Sequence, residues 1–220
     1  MKFGTHEAME VHEVLSENTC MIDHYAMYLN QCQDPELRRI LERQQRHMVD
    51  TYNTMVNVMQ GQGIDVSGAP RITMGSTARM AGENQPDYGI QQAAPVMPRP
   101  EAKTLSDRAI SMGALVFHKC GAIRCTGAAL ECANPNLRNM LATTARSCME
   151  MSYEIFQYMN QKGWYPVPAM PESVMNQMQQ QPYQPTVTGQ GGQAGYGVQL
   201  SPGGQAGKAG QMAQVNPYGH

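Results

Sequence analysis

The sequence contains the same helix start twice, one hundred positions apart. Cys32-Gln33-Asp34-Pro35-Glu36-Leu37-Arg38 returns as Cys132-Ala133-Asn134-Pro135-Asn136-Leu137-Arg138. Leu15, Cys20, Leu41, Arg46, Met59 and Gly63 recur at the same offset as Leu115, Cys120, Leu141, Arg146, Met159 and Gly163. A repeat of this kind means that one supersecondary unit is built twice, and that the two copies must find cover for their apolar faces.

Each copy reads as a helical hairpin. Asp34 and Asn134 are N-cap residues, and Pro35 and Pro135 follow at the first helical position, where a missing N–H costs nothing. Behind them runs an apolar seam with 4-3-4-3 steps: Leu37, Leu41, Gln44, Met48, Thr51, Met55 and Val58 in the first half, and Leu137, Leu141, Thr144, Cys148, Met151, Ile155 and Tyr158 in the second. Glycines from Gly61 to Gly63 and at Gly163 close these helices. The preceding helix of the first half has a stripe of Ala8, Val11, Leu15, Ile22, Tyr25 and Leu29, interrupted by Asn18. Its counterpart in the second half has Ala109, Met112, Val116, Ile123, Thr126 and Leu130, interrupted by Lys119, and opens on what reads as a capping box of Thr104 and Asp107.

Four such helices cover their stripes only against one another. Short turns make antiparallel neighbours within each hairpin, and a helix of about 26 residues is about 40 Å long, which a forty-residue connection spans easily. The expectation is an all-α fold: a four-helix ferritin-like bundle of two repeated antiparallel hairpins joined by a long crossover. The predicted parts are a first hairpin over 5–63, a crossover over 64–103, a second hairpin over 104–163, and a low-complexity tail over 164–220. The crossover is rich in proline and glycine (Pro70, Pro86, Pro95, Pro98, Pro100, Gly68, Gly75, Gly82, Gly89), which punctuate regular structure. From Pro166 onward the formal charges are Glu172 and Lys208, among Gln, Gly and Pro, a composition expected to be disordered. These regions explain why the 220-residue chain is only 15% charged and 41% hydrophobic.

Several functions are excluded or disfavoured. A net charge of −2 gives no basic excess for nucleic acid. No apolar run suits a membrane span, and Met1 to Glu7 has no signal-peptide character, so synthesis in the cytoplasm is expected. A ferritin-like di-metal site needs two glutamates and two Glu-x-x-His pairs. The second helix offers only His47-Met48-Val49-Asp50, the fourth only Glu150 and Glu154, and the acids and histidines of the first (His6, Glu7, Glu10, His12, Glu13, Glu17) crowd its opening turns, where acids suit the helix dipole. The expectation is no catalytic residue, no cofactor and no metal. The competing possibility is a metal-dependent redox protein with His47, Asp50, Glu17, His118 and Glu150 as improvised ligands; a bundle groove for an apolar ligand is a third. Cys20, Cys32, Cys120, Cys125, Cys132 and Cys148 form no Cys-x-x-Cys pair and are expected to be reduced, mostly buried thiols, with Cys32 and Cys132 the first to consider for oxidation. Arg38, Arg39, Arg43 and Arg46 make a basic face on the second helix. In the tail, Tyr183, Tyr196, Tyr218 and Lys208 stand among eleven glutamines, side chains suited either to cross-linking or to plain solubility.

Phe3-Gly4-Thr5-His6-Glu7-Ala8-Met9-Glu10-Val11-His12-Glu13-Val14-Leu15, continued by Asp34-Pro35-Glu36-Leu37-Arg38, resembles the opening and first turn of the spore coat protein F (Coat F domain) family. The resemblance extends over both hairpins and leaves out the tail. It implies a ferritin-like bundle made in the mother cell of an endospore-forming bacterium and deposited in the spore coat. It also implies a structural role without catalytic residues, with other coat proteins and further copies of the chain as the expected partners.

Overall fold

The structure, a computed structural model, describes residues 3–61, 86, 88–89 and 96–179. Four long helices carry the fold: α1 (Thr5–Gln31), α2 (Pro35–Met59), α3 (Asp107–Leu130) and α4 (Pro135–Gln161). A short α5 (Glu172–Gln179) follows. No strand occurs among the described residues; a lone bridge pairs Tyr88 with Val167. Most of the expected crossover, and the tail beyond 179, lie outside the described residues.

The repeat has a physical counterpart at the two hairpin turns. Asp34 Oδ1 accepts from the N–H groups of Glu36 (2.8 Å) and Leu37 (3.2 Å), and Asn134 Oδ1 accepts from Asn136 (3.0 Å) and Leu137 (3.2 Å). α2 and α4 end on Gly61 (φ 73°) and Gly163 (φ 69°), in the left-handed region that glycine enters without a Cβ penalty. α3 is capped differently from the expectation: Ser106, not Thr104, accepts from Ala109 N–H. The folded part also runs past residue 163, since Trp164 and Tyr165 pack on the core and their N–H groups bond Met159 O. The helix α5 falls within the stretch expected to be a tail without structure.

α1 packs on α2 and α3, and α4 packs on α3 and α2. Gln33 meets Asp107, Glu7 meets Asn134, and Arg43 meets Glu154, so α1 is antiparallel to α3 and α2 to α4. α2 and α3, separated by the crossover, therefore run parallel, the connectivity of a ferritin-like bundle.

Along the bundle axis the core divides into two clusters. One, nearer the α1–α2 turn, holds Tyr25, Tyr28, Leu37, Leu41, Leu115, Ile155 and Met159. The other, nearer the α3–α4 turn, holds Val11, Val14, Met55, Leu137, Met140 and Leu141. All fourteen seam residues expected on α2 and α4 are buried. On α1 the stripe is centred on Val11, Val14, Met21, Tyr25 and Tyr28, with Leu15, Ile22 and Leu29 at its edge. α3 departs from the expectation. Its buried face is Ile110, Ser111, Ala114, Leu115, His118, Gly121, Ala122, Cys125, Ala128 and Ala129, whereas Met112, Val116, Ile123 and Leu130 face outward. The reason is steric. Tyr25, Tyr28 and Met21 of α1 fill the space, and a Cβ at Gly113 would collide with the Tyr28 hydroxyl.

Candidate functional site

The most unusual chemistry of the molecule lies inside the bundle, where each long helix contributes a polar group to one layer. Tyr25 from α1, Gln44 from α2 and His118 from α3 are all fully buried. The Tyr25 hydroxyl donates to Gln44 Oε1 at 2.8 Å and lies 2.6 Å from His118 Nε2, which is 3.0 Å from the same Gln44 oxygen. The Gln44 amide donates to Met151 O (3.2 Å) and to Glu154 Oε2 (2.9 Å), both on α4. Glu154 is then closed off by a hydrogen-bonded ion pair with Arg43.

Donor counting assigns the histidine tautomer. Gln44 spends both amide hydrogens on α4, so its oxygen faces Tyr25 and His118 as an acceptor. With the proton on Nε2, His118 donates into this triangle and leaves only the Nδ1 lone pair without a protein partner. With the proton on Nδ1, a buried N–H would be stranded instead, a cost of about 1–3 kcal/mol. A second proton would strand that N–H and bury a charge besides. Burial, with a smaller contribution from nearby His47, accordingly pushes the imidazole pKa down to about 3. Burial raises the Tyr25 hydroxyl pKa well above its ordinary value. Both groups are thus neutral hydrogen-bonding units across the physiological range.

This layer does not fit a di-metal centre. Its one carboxylate, Glu154, already pairs with a guanidinium, and the other members are an amide, a phenol and a single imidazole. Among the described residues no three His, Cys, Asp or Glu side chains converge. The improvised ligands are dispersed accordingly. Glu17 pairs with Arg124 (2.8 Å), Glu150 pairs with Arg146 (2.8 Å), and Asp50 is exposed, while His47 comes near His118. The Gln44 position was legible as a polar residue inside an apolar seam. His118 and Glu154 were singled out only when a metal site was sought, and their meeting in one buried layer was not legible, since each belongs to a face that the apolar pattern does not mark.

The acids of the α1 opening have a role that helix-dipole reasoning missed. Glu7 is 4% exposed, accepts from Gly4 N–H (2.7 Å) and Asn134 N–H (2.9 Å), and is held below the usual carboxylate range by those two backbone donors, Asn134 first. Its counterpart in the repeat, Asp107, accepts from Gln33 N–H at 2.9 Å. Each hairpin therefore uses its first acid to grip the turn of the other. His6, Glu10, His12 and Glu13 stay on the surface or at its edge, with His6 3.4 Å from Glu131.

The thiols sort by their place in the bundle. All six cysteines are free. Cys32 and Cys132 sit at opposite ends of the bundle, and burial pushes the Cys32 thiol pKa up to about 11. Cys125 and Cys148 are buried, with their thiol pKa values raised by the same cause. The exposed thiols are Cys20 and Cys120, themselves equivalent in the repeat. On the outside, an open groove between α1 and α3 has Glu10, Glu17 and Glu131 around Ile123 and Gly127. A second groove, between α3 and α4, has Arg138 and Arg146 around Ala142 and Met149. Of the basic face on α2, Arg43 is committed to Glu154 and Arg38 bonds Cys32 O (3.2 Å), leaving Arg39 and Arg46 on the exposed surface.

Comparison with known proteins gives a consistent result. The Coat F domain matches residues 8–64 and 106–168, the two hairpins of the bundle. Spore coat protein F-like protein YhcQ of Bacillus subtilis (strain 168) is 33% identical over 175 residues, covering 80% of this chain and 78% of that protein. The crystal structure of a protein assigned to the spore coat of Bacillus halodurans C-125 superposes with a TM-score of 0.57, covering 78% of this chain and 96% of that one. At 15% identity this is a likeness of fold.

Proposed function

This chain belongs to the Coat F domain family, and we propose that it is a structural protein of the bacterial endospore coat, made in the mother-cell cytoplasm and assembled through its helical bundle. The observation that carries this reading is the double match: the family pattern falls on both hairpins, the whole of the repeated unit, with the bundle's polar interior used for internal hydrogen bonds. His118 and Tyr25 hydrogen-bond each other out of reach of solvent, which suits a scaffold better than a catalyst. No helix among the described residues is long and apolar enough to cross a membrane. The partners in this reading are other coat proteins and further copies of the chain, with the Gln- and Gly-rich region after the bundle reaching toward neighbours.

Localisation tests it directly. A fluorescent fusion expressed from the native promoter during sporulation is expected to leave the mother-cell cytoplasm and ring the developing spore, and the protein is expected in coat extracts of mature spores. A fusion that stays in the cytoplasm, with coat extracts lacking the protein, would refute the coat assignment.

A further inference from the structure

The apolar stripe that α3 turns outward has the spacing of a helix-pairing seam. Ala109, Met112, Val116, Lys119, Ile123, Thr126 and Leu130 are all exposed, and they follow one another at steps of 3-4-3-4-3-4. That is the spacing of the contact line between two supercoiled helices, with Ala109, Val116, Ile123 and Leu130 at every seventh position. Ile123 is 75% and Leu130 76% exposed, more than any other leucine, isoleucine or valine of the four long helices. The bundle does not need this line, because α3 packs inward through a different face of alanines, Gly121 and His118. The crossover residues Val96 and Met97 come against Ala109 and Met112, while Val116, Ile123 and Leu130 extend beyond them.

The charges flanking the seam identify its occupant. On the α1 side lie Glu10, Glu17 and Glu131, with Arg124 among them; on the α4 side lie Arg138 and Arg146, the latter with Glu150. A two-fold axis along the seam lays the α1 side of one copy over the α4 side of the other, acid against arginine, with the two α3 helices parallel. An axis across the seam would make them antiparallel and set α1 side against α1 side and α4 side against α4 side, which takes the acids away from the partner's Arg138 and Arg146. Within a parallel contact, β-branched residues at the every-seventh positions, here Val116 and Ile123, suit two helices rather than three or four. We propose that a second copy of this chain docks on the α3 seam as a parallel, two-fold dimer, with the Glu10–Glu131 side of each copy facing the Arg138–Arg146 side of the other. The pairing is a property of the purified chain and stands independently of where the protein resides in the cell.

Sedimentation equilibrium of the full chain tests it. The wild type is expected to be a dimer, and Ile123→Asp is expected to raise the dimer dissociation constant by roughly a hundredfold or more, because one substitution removes a buried isoleucine from each copy. Since Ile123 is exposed in the single chain, the helical signal and thermal melt of that variant report whether the fold is intact. Arg138→Glu is expected to weaken the dimer, and adding Glu131→Arg is expected to restore it. Orientation is read by Leu130→Cys in a chain that also carries Cys20→Ser and Cys120→Ser. Parallel seams bring that position against its own copy, so mild air oxidation is expected to give a covalent dimer. A wild-type chain that is monomeric at its solubility limit, a dimer that a folded Ile123→Asp variant leaves unchanged, or a dimer that Leu130→Cys does not cross-link would overturn the proposal.

Discussion

At the scale of single residues, the layer formed by Tyr25, Gln44, His118 and Glu154 holds groups that are satisfied only in one protonation state. A second His118 proton would sit on Nδ1, which is buried and faces no acceptor, and His47, itself shifted down by burial, lies close enough to oppose it. The consequence for stability has a definite sign. His118 takes its proton at about pH 6.5 in the unfolded chain but only at about 3 in the folded one, so between those values the unfolded state binds the extra proton. Stability is complete above about pH 6.5 and falls as pH drops toward 3, by up to about 1.4 kcal/mol per pH unit from this group. Denaturant melts at a series of pH values should show that slope, and His118→Gln, which keeps an amide donor but does not titrate, should flatten it between pH 6 and 4. An unchanged slope in that variant would mean that the histidine is not the acid-sensitive group. Asp34 adds a second loss lower down: its pKa is held at about 2 by the Lys162 ammonium and by the N–H groups it caps, so its contribution disappears only as pH falls from about 4 toward 2.

At the scale of elements, legibility in the sequence followed side-chain size. α2 and α4 bury large residues at regular steps, and every seam position read from the sequence is inside. α3 carries two competing stripes, and hydrophobicity points to the wrong one for the bundle: Val116, Ile123 and Leu130 outweigh Ala114, Gly121, Ala122, Ala128 and Ala129 on any apolar scale. What selects the small face is the neighbour. Tyr25, Tyr28 and Met21 on α1 supply the volume, so α3 must supply room, and a single-helix periodicity has no access to that complementarity. The polar layer was hidden for the same reason, because His118 sits on the face of α3 that the pattern passed over. Gly113 tests this account. It is half-buried on a stable helix, so helix propensity alone would have Gly113→Leu raise stability. Because Tyr28 occupies the space, the substitution is instead expected to destabilise by about 1–3 kcal/mol through overpacking, seen as a lower midpoint in urea. Replacing Tyr28 by alanine in the same chain should recover part of that loss. Ordinary additive behaviour of the two changes would show that they do not share the space.

At the scale of the whole molecule, the repeat is more than a duplicated hairpin, because each copy completes the other. Glu7 grips the α3–α4 turn and Asp107 grips the α1–α2 turn, one clasp at either end of the bundle. Glu7→Gln and Asp107→Asn keep the side-chain size but remove the charge that strengthens hydrogen bonds to backbone N–H groups, so each is expected to cost about 1–2 kcal/mol. Since the clasps are a bundle length apart, the double variant should lose the sum of the two, and a large non-additive term would mean that the ends communicate. The clasps also define what the folded unit requires. The Coat F match stops at 168, the compact unit that contains all four long helices ends at Glu172, and the sequence after it is rich in Gln, Gly and Pro. If the bundle is complete in itself, deletion of residues 173–220 should leave helicity per residue of the bundle and the thermal midpoint unchanged, while coat incorporation falls if that region reaches neighbouring proteins. A drop of several degrees in the midpoint would show that the bundle depends on those residues for stability. Unchanged incorporation would place assembly in the bundle surface alone, with the α3 seam as its first candidate.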